Sequence, residues 1–325
     1  MVRFLQSCVY SLDVMIYFRA KYDNERLRKF VSILLIPLGL IRYVWMSIKA
    51  KKIENNEKKC AIVTIVKNEG KYIKEFIEYY TALGCDLIIY DNDSDDNTSL
   101  IVNEYKNVKY IPWHGKKRQI DAYNEATKKY KYEYKYMMFF DADEILVADE
   151  ILEGKSLMCI LDSFFNVDKK ISCLGINWLI FGSSGLIEDP KCGVIDAFTQ
   201  AANDEFEWNQ LVKSCVIPSK IIGWVNPHLP LQVHGFKKVN LDGKVIVQPR
   251  NILPNKNNIR LYHYFVKNKQ HFQEKVNKGM ADRNAKRTMD EFYYYDKNDV
   301  NNFKAIEIRN YIMSKKNESA YNYES

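Results

Sequence analysis

Three carboxylates fall within four residues, Asp141-Ala142-Asp143-Glu144, directly after the hydrophobic run Tyr136-Met137-Met138-Phe139-Phe140. That run predicts a buried strand. The abrupt change to acids places them at its carboxyl end, where open α/β sheets bind their ligands. Two carboxylates one residue apart can lean toward the same side of such an end. Together they can hold a hard divalent cation, which often keeps phosphate oxygens in its shell. Nucleotide-activated donors use that chemistry. The alternative makes the acids the first turn of a helix beginning near Ile145, a position Asp and Glu favour.

The elements upstream decide whether these acids have company. Residues 60–66 (CAIVTIV) predict a first strand, broken by Lys67-Asn68-Glu69-Gly70. Tyr72, Ile73, Phe76, Ile77, Tyr80 and Leu83 recur at helical spacing, with Gly84 placed to end the helix. Residues 86–90 predict a second strand that stops at a polar loop over 91–98. A third strand is predicted over 108–111, a third helix over 114–130 and the fourth strand over 136–140. This alternation predicts an α/β fold with a doubly wound, mostly parallel sheet. Loops after the first, second and fourth strands then meet along one rim. They bring Asn68 and Glu69, then Asp91, Asn92 and Asp93, then Asp141 and Asp143. A solvated loop explains one such group but not three. No G-x-G-x-x-G follows the first strand and there is no Walker A sequence, so phosphate binding falls to a metal and to basic side chains. Lys116, Lys117 and Arg118 are the candidates, against a plain solvated turn.

The chain has 325 residues, 47% hydrophobic and 27% charged, which excludes a disordered protein. Residues 1–52 carry ten Lys or Arg against three Asp or Glu, a surplus equal to the whole net charge of +7. Those basic residues surround an apolar run, which suits an anionic membrane surface and not nucleic acid. Residues 30–41 (FVSILLIPLGLI) are resumed after Arg42 by Tyr43-Val44-Trp45-Met46. A span needs about 20 apolar residues, reached here only with Arg42 and Pro37 inside. The segment is therefore read as an interfacial or shallow anchor, with a single-pass span and a buried core helix as alternatives. It begins late and lacks a small-residue cleavage site, unlike a signal peptide. Residues 49–59 read as an exposed linker. Seven scattered cysteines without a Cys-x-x-Cys pair argue against a disulfide framework and a zinc site, and fit a reducing compartment. The glycosylation patterns at Asn97 and Asn317 read as chance matches.

The stretch AIVTIVKNEGKYIKEFIEYYTALGCDLIIYDNDSDDNT, followed by MMFFDADEIL, resembles the nucleotide-sugar domain of GT-A glycosyltransferases, most closely family 92 and bacterial relatives of the family 2 type. NWLIFGSSG, KSCVIPSKI, NPHLPLQVHG and LYHYFVKNKQHFQEKVNKG follow in that family's order. The resemblance covers about residues 58–282. It divides the chain into a membrane-associating segment (1–57), a nucleotide-sugar half (58–150), an acceptor half (151–282) and a helical, polar tail (283–325). In the stretch from His271 onward, Phe272, Val276 and Met280 predict a helix, and beyond Asp296 the chain is expected to fray.

The resemblance implies a GT-A, Rossmann-like fold and an inverting transfer from a nucleotide sugar, here a UDP-sugar. By it, Asp141 and Asp143 bind Mn2+ or Mg2+ and the donor diphosphate. Asp91 contacts the uridine, with Asn92 or Asp93 sharing that role, and Val66 and Asn68 lie along the base. His263 completes the metal shell, with His234 as competitor; imidazole suits manganese better than calcium. The general base is expected at Asp196, with Asp189 and Asp204 as rivals. From the residues themselves, Lys116 or Arg118 would stabilise the leaving diphosphate. Gly182, Ser183 and Ser184 would shape an acceptor pocket, and Trp178, Trp208 or Trp224 would stack on a sugar face, unless they are core residues. The acceptor is expected to be a saccharide or lipid-linked saccharide of surface polysaccharide or lipopolysaccharide synthesis, at the cytoplasmic face of a bacterial membrane. Two other readings stand beside this one: a haloacid-dehalogenase-type phosphatase with Asp141 as nucleophile, and a non-catalytic membrane scaffold.

Overall fold

A computed structural model describes residues 2–50, 59–251, 258–278 and 287–321. Most of the expected linker and Met280 lie outside them. Four helices come first, α1 (Val2–Tyr10), α2 (Asp13–Lys21), α3 (Glu25–Leu34) and α4 (Ile36–Ala50). The predicted alternation follows: β1 (Cys60–Val66), α5 (Ile73–Ala82), β2 (Cys85–Asp91), α6 (Thr98–Val102), β3 (Val108–Pro112), α7 (Gln119–Lys129) and β4 (Tyr136–Phe139). Helix α7 begins five residues later than expected. Gly115 (φ 104°) and Lys117 (φ 57°) occupy the left-handed region there, which a helix excludes.

After the acidic motif the chain forms β5 (Glu144–Ala148) and not a helix. All five of its residues are buried, as a strand inside a covered sheet requires. Then come α8 (Leu157–Phe165), the fully buried β6 (Ile171–Ile180), α9 (Val194–Ala197) and β7 (Gln200–Ala201). Helix α9 is a single turn, followed closely by that short strand. The remainder is β8 (Val212–Val216), β9 (Ile221–Gly223), β10 (Leu231–Gln232), β11 (Lys237–Val239), β12 (Ile259–His263), α10 (Lys269–Lys278), α11 (Met289–Tyr295), β13 (Val300–Asn301) and α12 (Lys304–Tyr321).

The main sheet runs β3-β2-β1-β4-β8-β6-β12-β5, with β11 also on β6. The first four strands are mutually parallel; β8 is antiparallel to both its neighbours, β12 is parallel to β6, and β5 is antiparallel to β12. Side chains alternate between two cores, as period-two strands demand. Ile62, Leu87, Ile89 and Met138 join the core with α5 and α8, while Val63, Ile88, Met137 and Phe139 join the core with α7. This is the expected mixed α/β, doubly wound architecture. Register sets the rim: Val66 pairs with Asp91 and Val63 with Phe139, so the carboxyl ends of β1, β2 and β4 lie together.

The tail departs from expectation. Among the described residues beyond Asp296 the chain forms α12, whose Ala305, Ile308 and Ile312 are buried in the main core, against α5 and β5. The N-terminal segment is packed too. Helix α1 lies on α4 and β9, and α2 on α7. Among the described residues no single helix is long and apolar enough to cross a membrane; α3 and α4 pass that test only as a pair, bent by 56°.

Candidate active site

Strand β4 delivers Asp141 and Asp143 to the rim, and β12 delivers His263 beside them. Tyr264 N–H donates to the Asp143 carbonyl at 2.9 Å, which fixes the two segments together. His263 Nε2 lies 3.4 Å from Asp143 Oδ1. Both line a cavity of about 1430 Å³, as does Asp141. Trp178 of β6 packs its ring 4.4 Å from that of His263 and closes the floor.

Two lysines from distant segments serve the carboxylates. Lys213, at the start of β8, donates to Asp141 Oδ2 at 2.8 Å and lies 3.8 Å from Glu144. It reaches them because β8 runs antiparallel beside β4. Lys275 of α10 donates to Asp143 Oδ2 at 2.8 Å. Gln119, at the start of α7, donates to Asp141 Oδ1 at 2.8 Å.

Burial works against the charge of Asp141, but Lys213 more than offsets it and holds the carboxyl below its usual range. Burial likewise opposes ionisation of Asp143, yet Lys275 and then His263 hold it well below that range. Glu144 goes the other way: burial outweighs Lys213 and raises its carboxyl well above the ordinary value. Burial also lowers His263, against the pull of Asp143. The centre therefore favours ionised aspartates beside an imidazole whose charged form burial disfavours. That donor set fits a borderline divalent cation bound by one carboxylate and one imidazole, with phosphate oxygens completing its shell. Among the described residues no three acidic, histidine or cysteine side chains converge into a closed metal cage.

The other predicted residues divide sharply. Val66, Asn92, Asp93 and Lys116 line the cavity. Asn92 is oriented by donating to the carbonyls of Trp113 and Gly115, both at 2.7 Å. Asp93 accepts from Gly115 N–H at 3.1 Å and pairs with His114. Asp91 and Asn68 do not line it. Asp91 is buried, taking the Tyr110 hydroxyl at 2.8 Å and Ser94 N–H at 3.0 Å, so its carboxylate braces the loop. Asn68 (φ 56°) is bonded to Asp95 through both ends of its amide. Arg118 is a further correction. Its guanidinium is buried, donating to Asp121 at 2.6 Å and to the Ile16 carbonyl at 3.2 Å. Arg19 pairs with the same aspartate at 3.0 Å. Arg118 thus ties α2 to α7 and faces no ligand.

None of the three expected bases lines the cavity. Asp196 is held by Arg309, Asp189 by Lys71, Tyr72 and Asn268, and Asp204 by Arg260. His234 lies beside α4, where its N–H donates to Ser47 at 3.4 Å, and not at the rim. Gly182, Ser183 and Ser184 form a dock for the tail: Ser183 N–H and Ser184 N–H donate to Asp296 and Asn298 at 2.6 and 2.8 Å. A Cβ on Gly182 would come within 2.4 Å of the Lys297 carbonyl. Trp224 is wholly buried, whereas Trp178 and Trp208 line the cavity.

Sequence reasoning passed over Lys213, Lys275 and Glu207. A signal existed for Lys213, a lone lysine inside the apolar strand sequence VKSCV. Glu207 carried none; it lines the cavity, oriented by the Tyr294 hydroxyl at 2.6 Å and Arg250 at 2.8 Å.

The family model described as "Glycosyl transferase family 2" matches residues 61–154. Residues 61–154 are thus similar to a glycosyltransferase family 2 domain. Curated relatives extend the likeness to family 92. A glycosyltransferase family 92 protein of Ricinus communis is 25% identical over 191 residues, 57% of this chain and 34% of that protein. One of Oryza sativa subsp. japonica is 25% identical over 186 residues (55% and 31%), and one of Arabidopsis thaliana 28% over 169 (47% and 29%). The chain spans about a third of the length of these curated relatives. The matched block in the family model begins in β1 and ends beyond β5, so it contains the loops after β1, β2 and β4.

Proposed function

We propose that this chain transfers a sugar from a nucleotide-sugar donor, a UDP-sugar, to a saccharide or lipid-linked saccharide of surface polysaccharide or lipopolysaccharide assembly, with inversion. The single observation that carries this reading is the meeting of Asp141, Asp143 and His263 with the β1 and β2 loops in one cavity. The base and ribose would lie along Val66, Asn92 and Asp93, with the diphosphate toward Asp143. Asp143 and His263 would hold Mn2+ or Mg2+, which when bound supplies positive charge to the departing diphosphate.

This chain's own residues do the rest. Lys213 and Gln119 fix Asp141 so that it cannot swing into the donor path. Lys275 and Lys116 bring positive charge to the cavity, where preorganised cations favour a developing anion. Trp178 walls off water from behind His263. Trp208 offers an aromatic face to an acceptor sugar. Glu207 is the carboxylate placed to take the acceptor hydroxyl proton during a single displacement, with no covalent intermediate. The test is UDP release from UDP-sugars with manganese, in wild type and Asp143→Ala. Release that needs both the metal and Asp143 supports the reading. Phosphate release from a phosphomonoester, or no turnover and no donor binding with any common nucleotide sugar, overturns it.

A further inference from the structure

We propose that the outer face of α3 and α4 lies flat in the interface of an anionic lipid bilayer, docking the enzyme without crossing the membrane. The chain's exposed apolar residues are unevenly placed. Among the described residues, thirteen of the 23 large exposed hydrophobics fall within the first 48 positions. Phe30, Ile33 and Leu34 share one face of α3, and Ile41, Trp45 and Ile48 share one face of α4, each more than half exposed. Soluble surfaces seldom leave so much contiguous apolar area bare.

Arg42 decides how this face is read. In the sequence it interrupts the apolar run. In the structure it turns inward, where Nη1 donates to Ser11 Oγ and to the Ile222 carbonyl at 3.3 Å. The outward stripe is therefore unbroken by charge. The inner face of α4 is built into the body. Gly39 presses on Cys8, where a Cβ would come within 3.1 Å of its backbone, and Met46 packs on Ile222 and Val233. Spanning would tear these contacts apart and draw Arg42 into hydrocarbon. Length agrees: ten and fifteen residues make helices of about 15 and 22 Å, against a hydrocarbon core of about 30 Å, and the two are bent by 56°.

Charge selects the occupant. Arg3, Arg26, Lys29 and Lys49 are exposed around the stripe. Lys49 sits 4.8 Å over the Trp45 ring, the pairing of aromatic and cation that suits a headgroup layer. A second protein copy would bring the same cations against themselves. The docking is also coupled to the catalytic body, because Arg19 of α2 and Arg118 share the buried Asp121 of α7, the helix whose Gln119 holds Asp141.

The experiment is sedimentation of the full chain with vesicles of neutral phospholipid alone and of neutral plus 30% anionic phospholipid. Binding is expected only to the anionic vesicles, reduced by high salt, and lowered at least about tenfold by Ile33→Ser/Ile41→Ser. The variant's far-UV circular dichroism and melting should match wild type, since both side chains face outward. Val245→Ser/Val247→Ser, an exposed apolar pair elsewhere, should bind as wild type does. Failure to sediment with any vesicle, equal binding by the Ile33/Ile41 variant, or a wild-type dimer that this variant dissociates would overturn the proposal. So would resistance of the bound protein to alkaline carbonate extraction, the mark of a span. Activity on a soluble acceptor tests the transferase reading separately, because it does not require vesicles.

Discussion

The rim built by residues 60–148 and the wall built by the described residues between 171 and 295 line one cavity, yet they are organised differently. The rim is assembled by local rules. Each of its loops follows a strand whose hydrophobic run announces where it ends, and parallel register brings the ends together. The wall is assembled by pairing across long stretches of chain. Lys213 and Lys275 lie 72 and 132 residues from the aspartates they serve. The lesson is that local rules suffice to gather the acids at a sheet edge. Tuning the acids there needs cations brought from the other half.

The sharpest test of this division is to remove one residue from each side. Asp143→Ala should lower metal-dependent UDP release by at least about 10³-fold, since stabilising a leaving diphosphate involves several kcal/mol. A loss under tenfold would mean that the rim does not hold the diphosphate. On the wall, Glu207→Gln should cost about 10²–10⁴-fold in kcat with donor binding unchanged, as loss of a general base does. If transfer persists, the proton leaves by another route and the wall only shapes the acceptor.

The third test concerns stability. Lys213→Met leaves Asp141 and the buried Glu144 without their cation and should destabilise the fold by about 3–5 kcal/mol, read by urea denaturation. If Glu144 is already neutral, as its raised carboxyl implies, the loss falls toward the lower end.

A fourth prediction turns on pH. Burial, followed by Lys213, pushes His228 down to about 4, below its unfolded value of about 6.5. Between those values the unfolded chain binds a proton that the folded chain refuses, so stability should rise with pH from 4 to 6.5. Above 6.5 this group adds no slope. His228→Gln should flatten that window, measured as melting temperature against pH. The smallest effect is expected outside the cavity. Asp196→Asn breaks only an exposed pair with Arg309 and should change stability by at most about 1 kcal/mol and activity not at all. A large activity loss would restore Asp196 as the base and redraw the wall.

These contrasts also mark what was legible in the sequence. The strands β1 to β4, their order of alternation and the converging acids could be read directly, because periodicity and breakers are local signals. Asp91 could not be sorted from Asp141 in that way. Both end a strand, and only Tyr110 and Ser94, placed by tertiary folding, turn Asp91 inward. Arg118 misled for the same reason: a basic turn before a helix looks solvated until α2 is laid across it. The Gly182-Ser183-Ser184 loop looked like a pocket, while its purpose is to receive Asp296 and Asn298 more than 110 residues later. Arg42 shows the same limit in the N-terminal helices, where direction and not composition decides what a charge does.

The most direct measurement of the central claim is calorimetric titration of UDP into the protein with and without manganese, for wild type and Asp143→Ala. The account predicts binding by the wild type that is strengthened by manganese and abolished, for the metal-dependent part, by the substitution. Equal UDP binding by both proteins, or none by either at any metal concentration, would contradict it.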